Sequence, residues 1–243
     1  MPLPIIDPEL LRGVELLSLD AGNTIIFLDH ARLASLVTRA GFPVDAATLI
    51  RCEGDAKLAQ EHKTLFDFEW SYRDQPGGVG WGGMVGTMIH LGGVPLADLP
   101  NLVGKLWREH VELNLWSVVP AGLADALDRL RARGVRVAVV SNSEGMLDVL
   151  FAQLGLVGHY DVLIDSGVVG IEKPDARIFE MALTACAASA ETTLHLGDSI
   201  ATDIVGARGM GMRCALIDPF GHVDGRHMDV PRVPGAVEVA NAL

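Results

Sequence analysis

No stretch of this 243-residue chain reaches the roughly 18 consecutive apolar residues that a membrane-spanning helix needs, so the sequence argues against a bilayer span. Basic residues are scarce too: 19 Lys and Arg stand against 31 Asp and Glu, for a net charge of -12, and they form no run. A nucleic acid or an anionic membrane surface is recognised through a basic patch that neutralises its phosphates, so neither is an expected partner. Only three cysteines occur, Cys52, Cys186 and Cys214, scattered without metal-ligand spacing. An odd, dispersed set without a signal peptide fits buried core thiols in a reducing compartment, and the expected location is the cytoplasm. Apolar residues make up 49% of the sequence, enough to bury the core of one medium domain or of one domain with an insert.

Four segments share one form, a buried-looking run that ends in a reactive polar group. Residues 14–19 lead to Asp20 and a Gly22-Asn23 turn, residues 135–140 lead to Ser141, a third stretch ends at Lys173-Pro174, and residues 194–197 lead to Asp198. Strands are predicted over 16–19, 135–140, 162–164, 193–196 and 214–217. Helices are predicted over 121–133, closed by Gly134, over 144–154 and 175–188, and over 203–210, closed by Gly211. This alternation predicts an α/β fold with a doubly wound parallel sheet. Ligands of such sheets bind beyond the carboxyl ends of the strands, where Asp20, Ser141 and Asp198 fall. The four segments together read as a phosphoryl-transfer site.

Between 29 and 116 the alternation gives way to helical periods at 31–40, 46–65, 81–91 and 99–115. The expected organisation is a core of residues 1–28 and 117–243, with an α-helical cap domain inserted over 29–116 through two linkers beside the catalytic strand end. A domain so placed can act as a lid. The glycine-rich stretch 75–83 reads as a helix connector, with a flexible substrate loop as the alternative. Trp70, Trp81, Trp107 and Trp116 read as packing residues, His195 as a packing residue near a strand end, and 219–227, with its two histidines, as a solvated loop.

The order and spacing of Asp20, Ser141, Lys173-Pro174 and Gly197-Asp198-Ser199-Ile200-Ala201-Thr202-Asp203 resemble the four motifs of the haloacid dehalogenase (HAD) superfamily, helical-cap subgroup. The resemblance covers nearly the whole chain. It implies a Rossmann-like core and a Mg²⁺-dependent hydrolase, foremost a phosphatase, that acts on a small phosphorylated metabolite through an aspartyl-phosphate. Asp20 would be the nucleophile. Asp20, the Gly22 carbonyl, Asp198 and Asp203 would hold Mg²⁺, with Asp203 alternatively a cap of the following helix. Ser141 and the Asn142 amide would bind phosphoryl oxygens, and Lys173 would neutralise charge as it develops. Thr24 would stand with Asn142 on the substrate side, orienting the first motif.

One position departs from the pattern. Phosphatases of this superfamily normally carry a second aspartate two residues after the nucleophile, which protonates the leaving group and later activates water; here that residue is Gly22. Positioned acid-base catalysis contributes about 10²–10⁴ in rate. Hydrolysis then requires a good leaving group or an acid from elsewhere, with Asp29, His30, Glu61 and His62 as candidates. A degenerate binding or regulatory protein is the main alternative. A phosphonate-cleaving enzyme would use an insert lysine, Lys57, Lys63 or Lys105, as an amine nucleophile. A halide-cleaving enzyme needs no cation, and the presence of Asp198 and Asp203 argues against it. The sequence carries no signal for oligomeric state.

Overall fold

A computed structural model describes residues 6–243. Eight short strands follow one another as β1 (Leu16–Leu19), β2 (Phe27–Leu28), β3 (Trp116–Val118), β4 (Arg136–Ser141), β5 (Val162–Asp165), β6 (Thr193–Gly197), β7 (Arg213–Ile217) and β8 (Arg232–Val233). Six of them form one sheet in the order β5-β4-β1-β6-β7-β8, and β2 pairs with β3 separately. Every pairing in the large sheet is parallel. β1 and β6 are buried along their whole length, as parallel strands covered on both faces must be. The α/β doubly wound expectation is therefore met, with each expected strand within one residue of its observed limits.

The strand order sets the position of everything that follows. From β1 the chain builds outward through β4 and β5 on one side, then returns to build β6, β7 and β8 on the other. That reversal at β1 is a topological switch point, where the connections diverge and leave a crevice at the strand ends. Three neighbouring strands, β4, β1 and β6, end there at Ser141, just before Asp20 and just before Asp198.

Several short elements escaped the sequence reading: the helices Pro8–Leu11 and Ser166–Val169, the single turn Leu96–Asp98, the strands β2, β3 and β8, each too short to show a period, and the terminal helix Ala236–Ala242. The helix expected from 203 instead starts with a wide turn over Ile200–Ile204 and continues as Val205–Gly209. Ser199 caps it, its Oγ accepting from the Thr202 N–H at 3.3 Å. Asp203 thus lies inside the turn, which removes the reading of Asp203 as a helix cap. A wide turn of this type places one extra residue on the helix and rotates the side chains that follow.

The chain divides into two compact units. One comprises the chain up to Phe27 with Val118–Pro219 and Gly225–Leu243, and contains the large sheet. The other comprises Leu28–Ser117 with Phe220–Asp224. Its helices are His30–Arg39, Ala46–Glu61, Gly78–Leu91 and Leu99–Glu112. Asp29 and Asp45 start the first two, accepting from the Arg32 and Thr48 N–H groups at 2.8 and 2.7 Å. Leu33, Val37, Leu49, Val85, Met88 and Val103 are buried in its core.

The glycine-rich stretch is largely helical, not a loop, and aromatic rings are the reason. A Cβ on Gly82 would fall 2.6 Å from Trp70 Nε1, and one on Gly86 would fall 2.7 Å from Phe68 Cε1. These helical glycines form a flat surface on which rings lie. Trp81 and Trp107 meet edge to face at 5.0 Å, with Trp70 at 5.8 and 5.5 Å from them, a geometry favoured between aromatic faces and edges. The stretch 219–227 is also not simply solvated: Val223 is buried, and His222 Nε2 donates to the Ile50 carbonyl at 2.8 Å. Gly54 leaves room for that ring, since a Cβ there would lie 2.8 Å from His222 Cδ2. All three cysteines are buried and free. No helix among the described residues is long and apolar enough to cross a membrane.

Candidate active site

The β1 ladder continues one residue past the strand, because the Asp20 N–H donates to the Leu196 carbonyl at 2.8 Å. This hydrogen bond anchors the backbone of Asp20 at the sheet edge. Immediately beyond, the Ala21 carbonyl accepts from the N–H groups of Thr24, Ile25 and Ile26, and Asn23 takes φ 54°. Asparagine is one of the few residues that adopt this left-handed conformation readily, so Asn23 rather than Gly22 makes the turn. The folded-back loop sets Thr24, fully buried, where its hydroxyl donates to Asp20 Oδ2 at 3.4 Å.

Ser141 Oγ donates to Asp20 Oδ1 at 3.1 Å. Lys173 reaches the same oxygen at 2.6 Å, Asp203 Oδ1 at 2.7 Å and the Val140 carbonyl at 2.8 Å. These three bonds use all three ammonium protons. Asp203 Oδ1 also accepts from His195 at 3.3 Å, and its Oδ2 accepts from the Ser199 N–H at 3.0 Å. Gly197 permits this approach: a Cβ there would lie 2.2 Å from Asp203 Cγ.

One buried ammonium thus serves two buried carboxylates, and they are not equal. Burial drives the Asp20 carboxyl upward, the charges of Asp203 and Asp198 add to the rise, and Lys173 only partly opposes it, leaving a pKa of about 7. Burial acts on Asp203 in the same direction, but Lys173 and His195 outweigh it and hold Asp203 well below the ordinary carboxylate range. Burial by itself pushes the Lys173 pKa down, but the two carboxylates outweigh it and raise the pKa above the usual lysine value. Asp20, Asp198 and Asp203 each offer an oxygen within 4.8 Å of the others. Three carboxylates against one lysine leave excess negative charge, and an all-oxygen donor set of this kind suits a hard divalent cation.

Asn142, expected only through its backbone amide, and Asp165, not expected at all, also build the site through their side chains. The Asn142 side chain brackets the Lys173 backbone, Oδ1 accepting from the Lys173 N–H at 2.7 Å and Nδ2 donating to the Lys173 carbonyl at 3.0 Å. Asp165, at the end of β5, accepts from the N–H groups of Gly145, Leu147 and Gly167 at 3.1, 3.1 and 2.9 Å, which pins the loop after Ser141. The one sequence signal for Asp165 is its place at the end of an apolar run, as at Asp20. His195 is fully buried within hydrogen-bonding reach of both Ser18 and Asp203, a role beyond packing.

The residues weighed as substitute acids or amines are engaged in the helical unit. Asp29 caps a helix, while His30 Nε2 lies 2.7 Å from Glu53 Oε2, with both side chains buried. Lys57 ion-pairs with the same Glu53 at 3.8 Å, Glu61 is half-buried, and His62, Lys63 and Lys105 are exposed. None of the three lysines sits alone in an apolar pocket, the setting that makes an amine nucleophilic.

Residues 36–211 match the family model for haloacid dehalogenase-like hydrolases. The chain is 30% identical over 216 residues to the human haloacid dehalogenase-like hydrolase domain-containing protein 3, covering 84% of this chain and 82% of that protein. It is 36% identical over 121 residues to the phosphoserine phosphatase of Thermus thermophilus, covering 49% of this chain and 46% of that one. The solved HAD phosphatase of Thermococcus onnurineus superposes with a TM-score of 0.58 at 18% identity, over 94% of this chain and 97% of the other. The chain belongs to the haloacid dehalogenase-like hydrolase family.

Proposed function

From membership in that hydrolase family, we propose that this protein is a Mg²⁺-dependent phosphatase acting on a small phosphorylated metabolite. The observation that carries the reading is the convergence of Asp20, Ser141, Lys173 and Asp203 through direct hydrogen bonds at the ends of β1, β4 and β6, with Asp198 completing the carboxylate group. The relation to phosphatases such as the Thermus thermophilus enzyme supports the same class of reaction. We read the inserted helical unit as a cap domain that selects substrate, and the cytoplasm as the place of action.

A carboxylate oxygen of Asp20 attacks phosphorus as the bond to the leaving oxygen breaks, and the leaving oxygen takes its proton from solvent. Water then attacks the aspartyl-phosphate, releasing inorganic phosphate and restoring Asp20; one difficult substitution becomes two easier ones. Ser141 and the Asn142 amide hold phosphoryl oxygens, and Lys173 keeps a fixed positive charge against them without reorganising. Asp20, the Gly22 carbonyl and Asp198 would hold the cation, with Asp203 supporting it. When bound, Mg²⁺ supplies charge neutralisation for the carboxylates and the phosphoryl dianion.

In a direct test, the protein releases inorganic phosphate from para-nitrophenyl phosphate with Mg²⁺ and stops on addition of EDTA. Absence of release across Mg²⁺, Mn²⁺ and Co²⁺ would overturn the reading.

Cation binding also has a pH signature. The Asp20 carboxyl lies at about 7 in the folded protein, above its ordinary value, so the fold binds an extra proton between roughly pH 4 and 7. Without metal, that contribution to stability declines as pH rises through this window and is gone above it. A cation offsets the buried carboxylate charge, so Mg²⁺ should raise Tm more at pH 8 than at pH 5. At 100-fold above Kd the stabilisation is about 2.7 kcal/mol. Differential scanning calorimetry at both pH values checks this, and an equal shift at the two would count against Asp20 as a ligand.

A further inference from the structure

Two polar side chains interrupt the aliphatic central strands at the same level. Ser18 of β1 and His195 of β6 are register partners, and both are fully buried. Polar groups placed there are costly unless hydrogen-bonded, and these two are: His195 Nδ1 lies 2.9 Å from Ser18 Oγ, and Nε2 lies 3.3 Å from Asp203 Oδ1. An ionised carboxylate only accepts, so Nε2 carries the ring proton. Nδ1 of the neutral ring then accepts from the Ser18 hydroxyl, which selects the tautomer. The neutral form agrees with the burial of the ring, which pushes its pKa down. Phe179 meets the imidazole edge to face at 5.2 Å and limits its rotation.

The chain of bonds continues outward. Asp203 Oδ1 is shared by His195 and Lys173, and Lys173 continues to Asp20 Oδ1. A neutral donor suits this position. A charged imidazolium would compete with Lys173 for the same Asp203 oxygen, whereas a neutral imidazole N–H orients that oxygen and leaves Lys173 as the charged donor to Asp20.

We propose that His195, held by Ser18, is a positioning residue whose Nε2–H fixes the Asp203 carboxylate, and through it the Lys173 ammonium, against Asp20. Its effect on turnover rests on the phosphatase reading; its effect on the Lys173 ammonium does not.

The test uses the full chain with His195→Leu, His195→Gln and Ser18→Ala. Outer-shell partners of this type typically contribute 10–100-fold. With saturating Mg²⁺ and para-nitrophenyl phosphate, His195→Leu lowers kcat by about that factor with KM changed less than about threefold. His195→Gln, whose amide N–H reaches the Nε2 position, recovers most of the loss, and Ser18→Ala gives a smaller fall of the same kind. Lysine-selective ¹⁵N NMR gives the second readout, taken without substrate. The Lys173 ammonium signal shifts or broadens in His195→Leu and stays near its wild-type position in His195→Gln. A lowered Tm with kcat and the Lys173 signal both unchanged in His195→Leu would show packing alone and overturn the proposal. If the wild type releases no phosphate, the phosphatase reading fails by itself, and the ¹⁵N signal still decides the role of His195.

Discussion

Asp20→Asn lowers phosphate release by roughly four orders of magnitude or more, as removal of a covalent nucleophile does. Asparagine preserves the shape, and its Oδ1 can still accept from Lys173 and Ser141, which in the wild type lie 2.6 and 3.1 Å from the carboxylate. What disappears is the oxygen able to bond phosphorus. The fold should not suffer for it. The Asp20 carboxyl is pushed up to about 7 chiefly by burial, which means its charged form is disfavoured in the metal-free protein. Above pH 7 the metal-free variant should therefore melt at or above the wild-type temperature, while Mg²⁺ stabilises it less. Steady-state kinetics and calorimetry on the same preparation separate the two effects. Retention of more than about 1% of wild-type kcat would remove Asp20 from the role of nucleophile.

Gly22→Asp acts in the opposite direction and raises kcat by about 10²-fold on alkyl phosphates, the lower end of what a positioned acid-base group supplies. Gly22 is not among the glycines with positive φ, so an aspartate there meets no left-handed backbone. Its residue stands two after Asp20 in a loop whose shape is set by the Ala21 carbonyl and Asn23, neither of which the substitution touches. An aryl phosphate has a leaving group that departs without a proton, so its gain should be confined to the hydrolysis of the aspartyl-phosphate. The ratio of alkyl to aryl turnover therefore reports on leaving-group protonation, and burst kinetics report on water activation. An unchanged ratio with an intact fold would mean that the missing aspartate does not limit the enzyme.

Both substitutions are addressed to residues that stand out in the sequence for a physical reason. Strands buried on both faces are mostly apolar, so a carboxylate or hydroxyl at their ends is conspicuous, and Asp20, Ser141 and Asp198 are of this kind. The strand pattern located all the longer members of the sheet for the same reason. Where the reading fell short, the local pattern held no such contrast. β8 has two residues, too few for a period to show. The helix Gly78–Leu91 starts ahead of the expected 81 because Gly78 and Gly80, poor helix formers, read as a connector, while Gly82 and Gly86 make room for Trp70 and Phe68 from an earlier segment. The loop 219–227 looks solvated because Gly54, which makes room for His222, lies more than 160 positions earlier.

The sequence by itself determined the α/β alternation, the interruption of the core by a helical segment and the residue types at the strand ends, since each follows from periodicity along a few neighbouring residues. It also determined that position 22 has no acid to give. Tertiary structure alone decided how charge is divided among those residues. Sheet order brings β4, β1 and β6 side by side, and with them Lys173 between Asp20 and Asp203, 153 and 30 positions away. That sharing leaves Asp203 ionised and Asp20 raised to about 7. Asn142 bracketing the Lys173 backbone and His195 bridging Ser18 to Asp203 belong to the same level, because a hydrogen bond between distant residues has no local signature: it exists only where packing brings donor and acceptor within about 3 Å.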